Sequence, residues 1–240
     1  YYTIPGPGGL PTGTGGSVLA LLSGGIDSPV ACHQLMRRGC LLDFITFHSA
    51  PYTPPGTLRK IARLAARLNQ WQNTEAGRGR LFAVNLLEAQ KTVRDACTER
   101  FRTVLYRRLM LRIAAALAEH LTARALATGE NIGQVASQTL ENMAVIEDAT
   151  VMPVLRPVLT CDKQDIVAMA KEIETFALSC EPMPDSCTIF APGSPATRAP
   201  LPRIRNEEEL LDISELVATA LGQTVEVNLE TLAEMPVESP

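Results

Sequence analysis

Short apolar runs alternate along this chain with segments whose apolar residues recur at helical spacing. The first run, SVLALL at residues 17–22, carries no charge, which is typical of a strand buried on both faces of a sheet. Further strands are predicted at residues 41–47, 81–86, 124–128 and 150–154. Helices are predicted at residues 27–38, 58–69, 102–121, 132–143 and 162–172. This alternation predicts an α/β fold: a doubly wound, mostly parallel sheet with helices on both faces.

The length and composition are those of a folded protein of one or two domains. The chain has 240 residues, of which 46% are hydrophobic and 20% charged, and this balance excludes wholesale disorder. No uncharged apolar run approaches the ~20 residues of a membrane helix, and the first residues lack the features of a signal peptide. Six cysteines without a Cys-x-x-Cys pair argue against a zinc finger. We therefore expect a cytoplasmic protein with reduced thiols and no membrane attachment.

Charge is distributed unevenly along the chain. Residues 59–112 contain 13 Lys and Arg against 4 Asp and Glu, whereas residues 204–240 contain 1 Arg and 9 acidic residues. The basic stretch is either a phosphate-contacting surface or a set of solvated helix faces. The acidic stretch is predicted to be a peripheral tail that packs loosely. Residues 1–16, with six Gly and three Pro, are predicted to form an irregular linker, which leaves residues 17–203 as the folded domain.

The sequence LLSGGIDS, at residues 21–28, joins the first predicted strand to the first predicted helix. Gly24 and Gly25 allow backbone N–H groups to approach a phosphate closely, and the helix adds its positive N-terminus. Asp27 places a carboxylate beside that phosphate site, an arrangement that suits a Mg²⁺ ion lying between the two. The motif is not a Walker A loop, because no Gly-Lys-Ser/Thr follows.

A Ser-Gly-Gly-x-Asp-Ser loop after a strand resembles the pyrophosphatase loop (PP-loop) of the N-type ATP pyrophosphatases. Those enzymes cleave ATP between its α- and β-phosphates and adenylate an oxygen. Five further segments make the chain resemble the ThiI family, the tRNA 4-thiouridine sulfurtransferases: FHSAPYT, YRRLMLR, TGENIGQVASQT, LRPVLTCDK and CTIFAPGSPAT. The resemblance runs from about residue 6 to residue 198 and implies the adenine nucleotide α-hydrolase-like fold of the PP-loop enzymes.

The resemblance also implies a reaction, in which ATP adenylates O4 of the uridine at tRNA position 8. A protein persulfide then replaces that oxygen, giving 4-thiouridine, AMP and pyrophosphate. The implied cofactors are ATP and Mg²⁺, and the implied partners are tRNA and the cysteine desulfurase that supplies the sulfur. Family members can also pass sulfur to the carrier protein ThiS for the thiazole of thiamine, and the resemblance suggests a homodimer.

The family's nucleotide site carries over to eleven positions of this sequence: Leu21, Leu22, Ser23, Gly24, Gly25, Ser28, Thr46, Phe47, Arg107, Gly129 and Gln138. The backbone at Thr46 and Phe47 can read the adenine edge, although the family commonly has His where Thr46 stands. Arg107 can reach phosphate or AMP, a role for which Arg108 is an equal alternative. Gln138 can bond either the nucleotide or the target base.

Three residues are predicted to be catalytic by the same resemblance. Asp27 organises Mg²⁺ and pyrophosphate, and Lys163 neutralises charge on the transferring phosphoryl group. The resemblance implies that Cys187 is the family's sulfur-handling cysteine. Its Pro-rich loop suits that role, since a nucleophilic sulfur must be a thiolate or persulfide on an accessible segment. Cys180 is the candidate resolving partner of Cys187, and Glu130 is a candidate for contact with substrate or metal. No dedicated set of metal ligands is predicted.

The resemblance leaves three interpretations open. Our expectation is the catalytic domain of a tRNA 4-thiouridine sulfurtransferase, with residues 1–16 as the linker from an absent N-terminal THUMP region and weak tRNA binding by this chain alone. The alternatives are another PP-loop enzyme that thiolates a different tRNA position or forms an amide, and a non-catalytic sulfur-relay module. Some family members carry the persulfide on a C-terminal rhodanese domain, which the acidic stretch does not resemble. Glu174 stands where the family often has Gly.

Overall fold

The computed structural model describes residue 6 and residues 8–72, 79–183 and 189–234. Its strands are β1 Ser17–Leu21, β2 Leu41–His48, β3 Leu81–Asn85, β4 Ala125–Ala127, β5 Val154–Leu155 and β6 Val225–Val227. Its helices are α1 Asp27–Arg37, α2 Pro55–Asn69, α3 Leu87–Ala96, α4 Arg102–His120, α5 Leu140–Glu147, α6 Lys163–Glu172, α7 Phe176–Ser179, α8 Leu201–Glu208, α9 Ile213–Gly222 and α10 Leu229–Glu234. Short 3₁₀ turns at Glu99–Phe101 and Ala136–Gln138 precede α4 and α5.

The strand order β5-β4-β1-β2-β3-β6 places β2 and β3 on one side of β1, and β4 and β5 on the other. The first five strands are parallel: Val18 of β1, for example, pairs with both Leu42 and Ala125. β6 runs antiparallel beside β3. The predicted doubly wound, mostly parallel sheet is therefore confirmed. Because the chain reverses its direction of growth at β1, a crevice opens at the carboxyl ends of β1 and β4.

Two apolar layers cover the sheet. Leu19 of β1 packs with Tyr106 and Leu109 of α4, whereas its neighbours Val18 and Ala20 lie in the opposite layer with residues of α1, α2 and α6. This alternation follows from the two-residue period of a strand. Both layers are closed by helices, and Arg107 and Met110 in the N-terminal half of α4 face the crevice.

One predicted helix is wrong. Residues 132–143 do not form a continuous helix, because the chain turns at Gly133 with a φ of +75° and passes through the 3₁₀ turn before α5 begins. Thr139 caps α5, since its side chain accepts a hydrogen bond from Asn142 N. The fifth strand lies at Val154–Leu155 rather than at residues 150–154, and α3 was not predicted.

The predicted loosely packed tail is also wrong for its described part. Residues 201–234 form α8, α9, β6 and α10, and β6 completes an edge of the sheet. Glu208 of α8 is buried and receives hydrogen bonds from Arg108 (2.8 Å) and Arg112 of α4. The acidic charge of this segment is thus matched by the basic charge of α4, a pairing that charge counts along the sequence cannot locate.

The first described residues lie against the end of α1. Leu10 N donates to Arg37 O (2.9 Å), and Gly13 N and Gly15 N donate to Gly39 O (2.8 and 2.9 Å). Residues 8–16 are therefore irregular but hydrogen-bonded to the domain, and their role as an interdomain linker stays a prediction. Among the described helices, none is both long enough and apolar enough to cross a membrane.

Candidate functional site

A cavity of about 500 Å³ lies at the carboxyl ends of β1, β2 and β4, in the crevice that the strand order opens. The ends of these strands, the loop before α1, and residues of α2 and α4 contribute to its wall. All eleven residues predicted to form the nucleotide site line this cavity: Leu21, Leu22, Ser23, Gly24, Gly25, Ser28, Thr46, Phe47, Arg107, Gly129 and Gln138. The structure thus brings together positions that are up to 117 residues apart in the sequence.

The loop between β1 and α1 is held by its own serines. Ser23 N donates to Ser28 Oγ (3.0 Å), and Gly25 N donates to Ser23 Oγ (3.3 Å). Ile26 occupies the N-cap position of α1 and provides no side-chain cap. The backbone N–H groups in the first turn of α1 can therefore bind an anionic ligand in the cavity, where the helix dipole adds positive charge.

Gly129 brings the end of β4 against the start of α1. A Cβ atom at this position would lie 2.5 Å from both N and Cα of Ser28. Such a contact is impossible without moving backbone, so only glycine allows these two segments to meet. The cavity wall at this point therefore depends on the absence of a side chain.

Two of the predicted catalytic residues meet at the cavity. Lys163 Nζ lies 2.5 Å from Asp27 Oδ1, and Gln134 Nε2 donates to Asp27 Oδ2 at 3.1 Å. Asp27 lines the cavity, whereas Lys163 reaches it through this ion pair from the first turn of α6. The third, Cys187, lies outside the described residues.

The cavity contains Arg107 and not Arg108, which settles their placement. Arg107 Nη1 donates to Glu130 Oε1 at 3.2 Å, and its Nε has no hydrogen-bond partner within the described residues. Arg108 instead points away into the core, where it bonds Glu208, Asp148 and the Val145 carbonyl. Its role is to anchor α8 and α5 to α4.

Glu130 lies behind Arg107 and is 4% exposed. Its Oε2 accepts hydrogen bonds from Arg156 Nε (2.8 Å) and Thr128 Oγ1 (3.0 Å). With all these partners its carboxylate is fully engaged within the protein. Glu130 is therefore placed to orient the Arg107 side chain.

Sequence reasoning missed Lys60 and Thr57, both on α2 and both in the cavity wall. Lys60 is only 5% exposed. A signal for it exists in the sequence: Lys60 falls on the apolar stripe that α2 buries, four residues before Leu64 and next to Ile61. A lysine on the buried stripe of an amphipathic helix needs a partner, and a functional cavity can supply one.

The polar groups of the cavity fit a phosphorylated ligand bound together with a Mg²⁺ ion. Gln138 Oε1 is buried in the cavity wall and has no hydrogen-bond partner among the described residues. A hydrogen-bond donor on a bound ligand would satisfy this oxygen. The described residues contain no group of three or more His, Cys, Asp or Glu side chains that could cage a metal. Asp27 alone suits Mg²⁺, which commonly binds one or two carboxylates and completes its coordination with phosphates and water.

Of the five described cysteines, three are buried and Cys161 is half-buried. Burial raises the pKa of Cys32 to about 12 and that of Cys97 to about 11, so neither forms a thiolate at neutral pH. Cys40 is also buried, and burial raises its pKa. Cys180 is exposed at the end of α7. Its pairing with Cys187 stays a prediction.

A sequence model of the family described as "Thiamine biosynthesis protein (ThiI)" matches residues 13–213. The chain belongs to the ThiI family. It is 45% identical over 238 residues to a probable tRNA sulfurtransferase of Brevibacillus brevis, covering 99% of this chain and 58% of that protein. It is 48% identical over 219 residues to a probable tRNA sulfurtransferase of Thermus thermophilus, covering 91% of this chain and 53% of that protein.

A solved structure agrees with the same assignment. A crystal structure of a 4-thiouridine synthetase–RNA complex with bound ATP matches with a TM-score of 0.85 at 42% identity, covering 92% of this chain and 57% of that one. NMN synthetase from Francisella tularensis, at 13% identity and a TM-score of 0.52, shares the fold alone. This chain spans a little over half the length of the ThiI relatives it matches. The resemblance seen in the sequence is thus confirmed as family membership.

Proposed function

We propose that this chain carries the ATP-dependent activating site of a tRNA sulfurtransferase that converts the uridine at tRNA position 8 to 4-thiouridine. The observation that supports it most is the convergence of eleven nucleotide-site positions on one cavity, at the crevice of a ThiI-family sheet. The similar solved structure, with RNA and ATP, supports the same pair of substrates.

The proposed reaction has two displacements. The uridine O4 attacks the α-phosphorus of ATP, the bond to the β-phosphate breaks, and pyrophosphate leaves. Sulfur then attacks C4, and the C4–O4 bond breaks, so that AMP leaves carrying the former O4. The uracil N3 proton is lost as O4 becomes the nucleophile, and electrons return to the ring when AMP departs.

The terminal persulfide sulfur loses its proton as it bonds C4, which leaves a C4–S–S–Cys187 linkage. A second thiol, for which Cys180 is the candidate, then attacks Sγ of Cys187 and breaks the S–S bond, so that the outer sulfur stays on C4 and a Cys180–Cys187 disulfide forms. An external thiol must reduce that disulfide before the next turnover.

In this proposal different polar groups of the chain bind different parts of the nucleotide. The N–H groups of the loop at residues 23–25 and of the first turn of α1 bind the outer phosphates, while Arg107 contacts the α-phosphate side of the cavity. Gln138 Oε1 accepts a hydrogen bond from a ligand amine or imide. Backbone groups at Thr46 and Phe47 contact the adenine edge.

Asp27 and Lys163 act on the leaving pyrophosphate. Mg²⁺, when bound, offsets the negative charge of the pyrophosphate. Asp27 Oδ1 holds the Lys163 ammonium 2.5 Å away, at the mouth of the phosphate site. From there the ammonium stabilises charge that develops on the departing oxygens.

We assign the sulfur-handling step to Cys187, with the persulfide supplied by a cysteine desulfurase and sulfur also delivered to ThiS. This assignment rests on the family match of CTIFAPGSPAT and on the raised pKa values of the buried thiols, which exclude Cys32 and Cys97 as nucleophiles. Cys187→Ser is expected to keep pyrophosphate release by adenylation of the tRNA, and to lose thiolation by the persulfide together with the AMP release that accompanies it. Thiolation at the wild-type rate would assign the sulfur to another cysteine.

The test is the release of AMP and pyrophosphate from ATP in the presence of sulfide as the sulfur donor, with full-length unmodified tRNA present or absent. The proposal predicts AMP and pyrophosphate in equal amounts, with release that depends on tRNA. Tight ATP binding with no release under either condition would contradict the proposal and favour a sulfur-relay module. Release without tRNA, driven by a small amine or acid, would favour another PP-loop adenylating enzyme.

A further inference from the structure

Lys60 is a buried cation to which the proposed reaction assigns no role. It lies on α2 with 5% of its surface exposed, and it lines the cavity. A buried ammonium has a high desolvation free energy unless nearby dipoles or anions compensate it. Its position therefore depends on what surrounds the charged group.

The Lys60 ammonium joins two separate parts of the cavity wall. Its Nζ donates to the carbonyl oxygens of Ser179 (2.9 Å) and Glu181 (2.7 Å), at and just after the end of α7. On the other side, a Cβ atom on Gly24 would lie 3.4 Å from Lys60 Cε and 3.5 Å from Nζ. The ammonium thus lies in van der Waals reach of the glycine loop while it holds the segment at residues 179–183.

We propose that Lys60 is a positioning residue that couples the nucleotide's phosphates in the glycine loop to the segment at residues 179–183. This inference rests on the proposed function, since it requires a phosphate chain in that loop. The anion and the two carbonyls act on the same ammonium from opposite sides. Phosphate charge beside Lys60 stabilises its buried, charged position, and that position is the one that bonds Ser179 and Glu181.

Arg63 allows this coupling to be separated from simple packing. Arg63, one turn along α2, binds the Glu181 carboxylate at 2.7 Å but does not line the cavity. Ser179 Oγ donates to Gly25 O at 3.3 Å. Arg63 therefore holds the same segment without facing the phosphates, which makes it a matched control for Lys60.

Cys180 reports on the segment directly. It lies between the two carbonyls that Lys60 binds, and its thiol is exposed. Coupling between sites is reciprocal, so a nucleotide that stabilises the Lys60 contacts must also restrain the segment around Cys180. The rate of Cys180 alkylation by iodoacetamide, followed by mass spectrometry of its peptide, measures that restraint.

The experiment compares the wild-type chain with Lys60→Met and Arg63→Gln, measuring the ATP dissociation constant and the alkylation rate with and without saturating ATP. In the wild type, ATP is expected to slow alkylation roughly fivefold or more. Lys60→Met is expected to weaken ATP binding about tenfold and to lose the protection. Arg63→Gln is expected to raise alkylation without ATP, yet to retain ATP affinity and protection.

The wild-type chain also provides a test that needs no variant. Pyrophosphate alone is expected to slow alkylation of Cys180, and adenosine is expected to leave it unchanged. The coupling is overturned if Lys60→Met keeps wild-type ATP affinity or protection, or if adenosine protects as well as ATP. A wild-type chain that binds ATP without protecting Cys180 overturns the coupling alone, whereas one that binds no ATP overturns the proposed function as well.

Discussion

Lys163 and Asp27 are 136 residues apart in the sequence and form an ion pair at 2.5 Å. Asp27 is fixed by the first turn of α1, and Lys163 by the first turn of α6, whose N-cap Asp162 accepts a hydrogen bond from Gln164 N. Two helix N-termini thus converge on one carboxylate–ammonium pair. The pair marks the end of the cavity at which the leaving pyrophosphate is proposed to bind.

Replacement of Asp27 tests that pair. Asp27→Ala is expected to lower the rate of AMP formation by about 100-fold or more, because a charged group that acts in the transition state is lost. The measurement is AMP release at saturating ATP, tRNA and sulfide. Asp165→Asn is the control, since Asp165 is exposed on α6 outside the cavity. Wild-type turnover in Asp27→Ala would remove Asp27 from the mechanism.

Gly129→Ala tests the close approach of β4 and α1. Its Cβ would meet Ser28 backbone atoms at 2.5 Å, so the end of β4 must move away from the loop. We expect ATP affinity to fall at least about tenfold and the free energy of unfolding to fall by about 1–3 kcal/mol. Gly193→Ala is the control, since a Cβ there has no atom within 4 Å and its φ is not positive. Calorimetric titration with ATP and thermal unfolding check both values, and equal affinities in the two variants would refute the packing argument.

The position of the site was predictable because two local patterns define it. The strand–loop–helix sequence at residues 17–28 fixes where a phosphate can bind, and the family motifs mark the remaining wall. Residues at strand ends, such as Thr46 and Gly129, could therefore be placed from order along the chain. All eleven predicted wall positions lie in one cavity.

Contacts between distant helices were not predictable, because periodicity describes each helix separately. The sequence around Arg108 did not indicate that this arginine forms a buried ion pair with Glu208, 100 residues later. For the same reason the acidic segment was predicted to pack loosely, although it supplies a strand and helices to the domain. The helix predicted at residues 132–143 failed locally, where Gly133 and the cap at Thr139 divide an otherwise suitable sequence.

Glu130→Gln tests whether Glu130 orients Arg107. The change removes a buried charge that faces Arg107 and Arg156, so we expect about 3 kcal/mol of lost stability. We also expect the KM for ATP to rise about tenfold. The products are expected to stay AMP and pyrophosphate, with no ADP, because the bond that is cleaved does not change. Glu141→Gln is the control, because that carboxylate pairs only in an exposed ion pair. Lost stability with an unchanged KM would leave Glu130 a purely structural role.

The Glu208 cluster makes stability depend on pH in a defined direction. Burial raises the pKa of Glu208, but hydrogen bonds from Arg108 and Arg112 outweigh it and lower the pKa below the ordinary value of 4.5. The folded state therefore gains stability above about pH 4.5, and loses it as the pH falls through the depressed value. Glu208→Gln is expected to be about 3 kcal/mol less stable at pH 7 and to lose less stability below pH 4.5.

Urea unfolding at several pH values measures this difference, with Glu209→Gln as the control. Glu209 is the exposed neighbour of Glu208 on the same segment. Its variant is expected to follow the wild-type curve. Parallel pH curves for the wild type and Glu208→Gln would show that another carboxylate carries the acid sensitivity.

The origin of the oxygen in AMP tests the central claim most directly. The measurement is the mass of AMP formed in water enriched in oxygen-18, with ATP, unmodified tRNA and sulfide as the sulfur donor. If the cavity activates the uridine O4, the AMP takes its new oxygen from the uracil and carries no label from water. Labelled AMP would show hydrolysis of ATP in place of adenylation, and would contradict the account.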